Sequence, residues 1–239
     1  MQVAIVVYPG MTALDAIGPY EVFRFIPNCD LRFVYHQTGP VVTDSRVLIL
    51  GATHSFEETP EPDIILVPGS EANTVTAMAD SDLIKWLRRV HQTTRLTLSV
   101  CTGSMILAAA GILQGHPATT HWIAQKRLAA FGVQPQPDKR VVSSGKIKTA
   151  AGVSAGIDLS LQVVSELYGR QMAEKIQLII EYDPKPPFQS GHPNKASKEV
   201  LTNAETEMKK RSYNSRNFIS VPKIYWNSII NKVRMGKED

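Results

Sequence analysis

The stretch RLTLSVCTGSMILAAAGIL, residues 95–113, determines how the chain is expected to fold. Its first half, LTLSV (96–100), is a short and mostly apolar run that predicts a strand. Its second half, residues 102–113, is rich in small residues and predicts a helix. Cys101 lies between the two, so the cysteine is expected at a sharp strand-to-helix corner, which resembles a nucleophile elbow.

The same alternation of strand and helix runs through most of the chain. Further strands are predicted at 3–8, 31–36 and 63–69, and a hairpin with a Ser-Gly turn at 140–150. Helices are predicted at 16–26, 80–92, 121–132, 154–169 and 170–182, with Asp80 and Ser81 capping the second of these and Gly132 ending the third. Strands that are apolar almost throughout are typical of a parallel sheet buried on both faces. The pattern predicts a doubly wound α/β sandwich, with helices on both faces of a mostly parallel sheet.

The chain has 239 residues, and the α/β pattern ends at the proline-rich segment 183–194. We therefore predict one α/β domain over residues 1–194 and a helical appendage over 195–239. The appendage has ten Lys or Arg against five Asp or Glu, a net charge of +5; because the whole chain carries +4, residues 1–194 carry −1. No aromatic-interleaved basic patch accompanies this charge, so no nucleic-acid partner is expected.

Cysteine and histidine content argues against a disulfide scaffold and against a metal site. The two cysteines, Cys29 and Cys101, are too few for a scaffold, and the six histidines show no HxxxH or HxH spacing. Cys29 lies in an Asn-Cys-Asp turn and is taken as incidental. No apolar run is long enough for a membrane helix and no signal peptide is recognised, so we expect a soluble cytoplasmic protein.

The strand and helix pattern alone indicates two candidate functional residues, Cys101 and Asp15. Cys101 follows a strand, where α/β sheets bind ligands, and precedes a helix N-terminus, which is expected to lower the thiol pKa. A buried core cysteine is the alternative. Asp15 follows the first strand; its spacing alone favours a helix cap, although a carboxylate beside a thiolate is expected to have a raised pKa and to hold or donate a proton.

Six segments in order make the chain similar to the DJ-1/PfpI superfamily and, within it, to the isonitrile hydratase group. They are LDAIGPYEVF, DIILVPGS, SVCTGSMILAAAGIL, ATTHW, GVSAGIDLSL and QLIIEYDPKPPFQSG, and they span residues 1 to about 194. The resemblance implies a flavodoxin-like fold, a homodimer and no cofactor. It implies that Cys101 is the nucleophile, that Asp15 reaches its sulfur, and that Thr102 supplies a neighbouring hydroxyl or backbone donor.

The resemblance also implies the residues that border the substrate. Gly69 and Ser70 are expected to bring backbone N–H groups to the pocket, with Ser70 in place of the usual second glycine. Gly103, His121 and Val153 are expected around the same pocket. From the sequence, His121 is as well explained as a cap of the helix that follows it, and Asp183 is better explained as a solvated turn carboxylate than as a pocket residue.

The activity implied is addition of water to an isonitrile through a Cys101 thioimidate, with Asp15 moving the protons. Thr102 follows the nucleophile where a protease-like branch has histidine, which argues against a Cys-His pair at adjacent positions. Two alternatives stay open at this point. One is a regulatory sandwich of the kind that is joined to a helix-turn-helix domain, and the other is a redox or electrophile-responsive protein in which Cys101 is oxidised.

Overall fold

The computed structural model describes residues 1–212 of the chain. Within this range the strands are β1 (Gln2–Val6), β2 (Asp30–Tyr35), β3 (Gly39–Val42), β4 (Ile49–Ala52), β5 (His54–Ser55), β6 (Ile64–Val67), β7 (Leu96–Val100), β8 (Pro117–Ala118), β9 (Gln134–Pro135), β10 (Val141–Ser144) and β11 (Ile147–Ala150). The α-helices are α1 (Ala13–Phe23), α2 (Thr74–Ala79), α3 (Ser81–Thr93), α4 (Gly103–Ala109), α5 (Gln125–Leu128), α6 (Ala155–Tyr168), α7 (Arg170–Ile179) and α8 (Lys198–Ser212).

One seven-stranded sheet forms the centre of the protein, in the order β10-β11-β7-β6-β1-β2-β5. Every neighbouring pair is parallel except β10 with β11. The flanking helices form two packed groups, α1 with α6 and α7, and α2 with α3 and α4. This confirms the predicted α/β sandwich with a mostly parallel sheet. Because the central strands are parallel, the carboxyl ends of β1, β6, β7 and β11 meet at one edge.

The central strands are buried on both faces, as their continuous apolar sequences predict. All residues of β6 and β7 are buried, and Val3 to Val6 of β1 have no exposed surface. Burying one such side chain fully contributes about 1.5–3 kcal/mol. The layer is therefore a rigid base for the loops that follow these strands.

Two local predictions agree closely with the structure. Helix α3 begins after Asp80, whose side chain accepts hydrogen bonds from the N–H groups of Asp82 and Leu83, as expected of an N-cap. The hairpin of β10 and β11 turns at Gly145, which has a φ of 57° that favours glycine.

Two helices differ from their predicted bounds. Helix α1 begins at Ala13, so that Pro19 lies inside the helix instead of near its start. Helix α4 ends at Ala109, and Gly111 follows with a φ of 78°, the left-handed conformation that ends helices. The apolar residues that continue beyond Gly111 belong to a turn and not to the predicted helix.

The prediction of one continuous helix over residues 121–132 is wrong. This segment forms three short pieces, with the 3₁₀ turns Trp122–Ala124 and Ala129–Phe131 on either side of α5. The Gln125 amide is buried and donates to Thr119 Oγ1 at 3.1 Å and to the Thr120 carbonyl at 2.9 Å. These hydrogen bonds to residues five and six positions earlier in the chain compete with a continuous helix. Gly132 ends the segment in a left-handed conformation, as predicted.

The predicted appendage is described only in part. Helix α8 lies against the body near Trp122, with a small cavity of about 120 Å³ between them. Residues 213–239 of the appendage lie outside the described residues, and the domain boundary at 194 stays a prediction. No helix within residues 1–212 has the length and apolarity that a membrane span needs. The cytoplasmic location and the absence of a nucleic-acid partner also stay predictions.

Candidate active site

Cys101 lies directly after β7, at the sheet edge where the loops following β1, β6 and β11 converge. Its backbone N–H lies 3.1 Å from the carbonyl oxygen of Ala150 and 3.0 Å from that of Ala151. Its own carbonyl accepts a hydrogen bond of 3.0 Å from the Thr120 hydroxyl. Neighbouring segments on both sides therefore fix the backbone of this residue.

The backbone at Cys101 has the strained geometry of an elbow. Its φ is 56°, a left-handed value that costs a non-glycine residue about 1–2 kcal/mol. Thr102 is the N-cap residue of α4, and Gly103 is its first residue. A Cβ atom on Gly103 would lie 2.0 Å from the Val67 carbonyl oxygen, so this glycine lets α4 pack against β6. The packing of α4 therefore requires glycine at position 103, and contact of Gly103 with a substrate stays a prediction.

The Cys101 thiol is almost completely buried, with 5% of the residue exposed. Burial raises the thiol pKa well above its ordinary value, and the Asp15 carboxylate raises it further. Hydrogen bonds from the N–H groups of Thr102 and Val153 and from the Thr102 side chain act in the opposite direction. The N–H groups at the helix N-terminus lower the thiol pKa as predicted, but the predicted net decrease is wrong, because desolvation outweighs the backbone donors at this depth.

Asp15 lies in the first turn of α1 and has no exposed surface. Its Oδ2 accepts a 2.9 Å hydrogen bond from the Gly69 N–H, whereas Oδ1 is buried without a hydrogen-bond partner. Burial raises the pKa of the carboxyl to about 7, although the Gly69 N–H and the Cys101 thiol each lower it. The cap position belongs to Thr12, so the capping role that spacing alone favours is wrong.

Gly69 and Ser70 approach the elbow closely, but their N–H groups are engaged within the protein. Gly69 donates to Asp15, and Ser70 donates to Thr102 Oγ1 at 2.9 Å. A Cβ atom on Gly69 would lie 2.5 Å from both the nitrogen and Oγ1 of Thr102, so only glycine allows this approach. The N–H groups that act on the sulfur are instead those of Thr102 and Val153.

Ser70 replaces the expected second glycine without backbone strain, since it is not among the residues of positive φ. Its hydroxyl donates to the Gly10 carbonyl at 2.6 Å and accepts from the Asn73 N–H at 2.8 Å. The side chain therefore ties the loop after β6 to the loop after β1. This contact joins the loop that carries Gly69 to the loop that leads into α1, the helix that carries Asp15.

A polar network behind the thiol contains two residues that the sequence did not single out. Thr74 Oγ1 lies 2.7 Å from Thr102 Oγ1, and both hydroxyls contact the Ser70 carbonyl, at 3.0 and 3.1 Å. Tyr8 is buried and donates to the Pro68 carbonyl at 3.1 Å. Tyr8 is the last residue of the first predicted strand, and Thr74 begins α2 shortly after the loop 68–70. In the sequence, only these positions next to strand ends could have pointed to the two residues.

His121 and Val153 lie on the other side of the elbow. Val153 has a φ of 23° and carries one of the N–H donors to the sulfur. His121 is the N-cap residue of the turn that begins at Trp122, as the structural alternative predicted, and burial lowers its pKa. Its ring also lies against Gly152, where a Cβ atom would be 2.5 Å from His121 Cδ2. His121 therefore supports the loop that carries Val153.

The other candidates lie away from this site or form no cluster. Asp183 is exposed and pairs with Lys185 at 2.7 Å, in agreement with a solvated turn carboxylate. Cys29 is half-buried and free. Among residues 1–212, no three His, Cys, Asp or Glu side chains are grouped as metal ligands.

The fold and the site together define an α/β sandwich protein with a cysteine on a strained strand-to-helix elbow and a buried carboxyl beside it. The sequence pattern of the DJ-1/PfpI family matches residues 1–166, and the chain belongs to this family.

Relatives with known names or structures support this assignment over most of the chain. The chain is 40% identical to an isonitrile hydratase of Pseudomonas putida over 204 residues, which cover 85% of this chain and 88% of that protein. It is similar to the crystal structure of a ThiJ/PfpI family protein from Pseudomonas syringae, with a TM-score of 0.83, 35% identity and 88% coverage of each chain. It is 31% identical to the HTH-type transcriptional regulator CdhR of Pseudomonas aeruginosa, over 70% of this chain but 51% of that regulator.

The first prediction concerns the thiol. In a Cys29→Ala background, alkylation of Cys101 by iodoacetamide should follow a pKa above that of an ordinary thiol, because the sulfur is buried beside Asp15. Asp15→Asn removes the neighbouring negative charge and should speed alkylation at pH 8 by about tenfold, the effect of a one-unit shift in pKa. Intact mass against time at several pH values measures both rates.

Asp183→Asn is the matched control, since it removes an exposed carboxyl away from the elbow and should leave the alkylation rate unchanged. An alkylation profile with an ordinary thiol pKa in the protein with Asp15 intact would contradict the geometry described here.

Proposed function

We propose that the protein is an isonitrile hydratase, which adds water to R–N≡C and releases the N-substituted formamide R–NH–CHO. The observation that carries the proposal is the buried pair of Cys101 and Asp15, whose Oδ1 is free to exchange a proton. The 40% identity to an isonitrile hydratase supports the choice of substrate class.

The first step is addition of the thiol across the isonitrile carbon. Asp15 Oδ1 takes the proton of the Cys101 thiol, and the thiolate attacks the terminal carbon. Asp15 then gives the same proton to that carbon, which leaves the thioimidate R–N=CH–S–Cys. One S–H bond and one N–C π bond break, one C–S and one C–H bond form, the π pair becomes a lone pair on nitrogen, and no oxidant is needed.

The second step is hydrolysis of the thioimidate. Asp15, again a carboxylate, takes a proton from water and passes it to the thioimidate nitrogen, while the resulting hydroxide adds to the carbon. As the C–S bond of the tetrahedral adduct breaks, the hydroxyl of the adduct becomes the formamide carbonyl and its proton returns to sulfur through Asp15. General acid–base assistance of this kind contributes roughly a hundred- to ten-thousand-fold to the rate.

The raised thiol pKa suits this sequence of steps. A thiolate of high pKa is intrinsically more nucleophilic than one of low pKa, provided that a base is present to form it. Asp15 is that base, and the N–H groups of Thr102 and Val153 with the Thr102 hydroxyl stabilise the charge on sulfur as it develops.

The second prediction tests the nucleophile. Cyclohexyl isocyanide incubated with the protein should lose its isonitrile infrared band and give the N-formyl product by NMR. Cys101→Ala lacks the attacking sulfur and should abolish turnover while the fold is kept, as circular dichroism would report.

Cys29→Ala is the matched control and should keep full activity, since Cys29 directly precedes β2 and belongs to none of the segments that form the elbow. Turnover by the Cys101→Ala variant would exclude a thioimidate.

The third prediction concerns pH. The reactive pair holds one proton, on either sulfur or carboxyl, so the doubly protonated pair must lose a proton before reaction. The pKa of Asp15 is about 7 and that of Cys101 is higher, so kcat/KM should rise with pH through about 7 and then level off. Initial rates from pH 5 to pH 9 measure this; a fall in kcat/KM through pH 7 would mean that the doubly protonated pair reacts.

The redox alternative is less well supported by the site. Oxidation-sensitive cysteines combine a low pKa with solvent access. Cys101 is 5% exposed and its pKa is raised by burial, so both conditions are missing in this structure.

We also propose that the protein is a homodimer, with the second copy covering an apolar surface beside α1, α6 and α7. A cavity of about 330 Å³ is open there, lined by Leu14, Ile17, Ile157 and Ile180 among others. Two exposed residues of α7, Leu178 and Ile179, continue this apolar surface. Apolar patches of this kind mark contact surfaces.

The fourth prediction tests this surface. Ile179→Glu places a charge beside the cavity and should shift the molecular mass in sedimentation equilibrium from dimer towards monomer. Val47→Glu, at an exposed apolar position in the turn between β3 and β4 and outside α1, α6 and α7, is the control and should leave the mass unchanged. A dimer that persists in the Ile179→Glu variant would place the interface elsewhere.

A further inference from the structure

Tyr8 and Asp15 bind the two ends of the same peptide group. The Tyr8 hydroxyl donates to the Pro68 carbonyl at 3.1 Å, and the N–H of the following residue, Gly69, donates to Asp15 Oδ2 at 2.9 Å. The Pro68 carbonyl and the Gly69 N–H belong to one planar peptide unit. The Tyr8 phenol and the Asp15 carboxyl are therefore connected through a single rigid peptide group.

The mechanism above gives Tyr8 no part, although it is a buried hydroxyl with 3% of the residue exposed. Burial raises the phenol pKa and the charges of Asp15 and Cys101 raise it further, whereas a hydrogen bond with the Thr74 side chain lowers it, so the hydroxyl keeps its proton while Asp15 titrates near pH 7. The Pro68 carbonyl is its hydrogen-bond acceptor. Tyr8 is thus a constant donor to this peptide.

A donor on the carbonyl oxygen polarises the peptide and makes its N–H a stronger donor, since linked hydrogen bonds strengthen one another. The Gly69 N–H favours the charged form of Asp15, because a carboxylate accepts a hydrogen bond more strongly than a carboxylic acid does. We propose that Tyr8 is a positioning residue that orients and polarises the Pro68–Gly69 peptide, and thereby holds Asp15 ready as the acid–base group of the site.

The other groups that act on Asp15 do not replace this effect. Desolvation raises the pKa of the carboxyl, the Cys101 thiol lowers it, and the charge of Asp44 raises it. Asp44 is held by a 2.8 Å hydrogen bond from the Thr12 hydroxyl. Removing the Tyr8 hydroxyl leaves these groups in place and weakens the Gly69 donor, and it also removes the hydrogen bond between Tyr8 and the Thr74 side chain.

The fifth prediction follows Asp15 itself. The chemical shift of its carboxyl carbon, read by NMR in protein with ¹³C-labelled aspartate and assigned with Asp15→Asn, should titrate near pH 7 in the wild type. Tyr8→Phe keeps the buried ring but removes the donor, so the midpoint should rise by roughly half a pH unit. A midpoint that stays at the wild-type value would overturn the proposal.

A second substitution reverses the sign. Placing 3-fluorotyrosine at position 8 makes the phenol more acidic and a stronger donor, so the Asp15 midpoint should fall below the wild-type value. Tyr35→Phe, which removes a half-buried hydroxyl on β2, should leave the midpoint unchanged. A Tyr8→Phe protein that loses activity or stability without moving the midpoint would show a merely structural role and also overturn the proposal.

Only the acid–base role of Asp15 rests on the proposed function; the link between Tyr8 and Asp15 does not. The NMR titration needs no substrate, so it decides the role of Tyr8 even if cyclohexyl isocyanide is not consumed. Where turnover is observed, the rise of kcat/KM with pH should move with the NMR midpoint in each variant. A midpoint that moves while the kinetic profile stays fixed would separate Asp15 from the reaction and leave its link to Tyr8 standing.

Discussion

The hydrogen bond from the Gly69 N–H to Asp15 is the contact on which the site depends, because it holds a carboxyl group inside the protein next to a thiol. Burial moves the pKa of Asp15 from 3.8 to about 7, which corresponds to a cost of roughly 4 kcal/mol once the group is ionised. Because the folded-state pKa is the higher one, stability is greatest below about pH 4 for this group and is lost as pH rises through about 7. The rigid sheet beneath must offset that loss.

The arrangement around this bond explains why small or short residues surround the elbow. Gly69 reaches Thr102 only because it has no Cβ atom, and Gly103 reaches β6 for the same reason. A side chain is accepted at Ser70, where its hydroxyl joins two loops. The neighbouring position, Gly69, has no room for a side chain. Close backbone approach thus brings Asp15 to Cys101, although each residue follows a different strand.

The sequence could predict those features that depend on local pattern. Continuous apolar runs indicated the central strands β1, β6 and β7, and the Asp80 cap marked the start of α3 within one residue. The short hairpin of β3 and β4, the helix α2 and the division of residues 121–132 were not predicted. In the last case the Gln125 amide donates to Thr119 and Thr120, a side-chain contact within the same loop that no hydrophobic periodicity reveals. The position of Cys101 was predictable from a strand end. The family resemblance also indicated Thr102 as a donor and Val153 as a pocket residue, but not that the Val153 N–H, from the loop after β11, acts on the sulfur.

The wrong prediction for the thiol pKa follows from comparing two magnitudes. A helix N-terminus stabilises a nearby anion by about 0.3–1 kcal/mol, and α4 has only seven residues. Removing a charged group from water costs several kcal/mol even after the protein relaxes. Desolvation therefore raises the pKa of the Cys101 thiol in spite of the helix, and a strand-end cysteine before a helix is not by itself an activated nucleophile. Activation has to come from a base with a nearby pKa, which makes the raised pKa of Asp15 a requirement of the site and not a by-product of its burial.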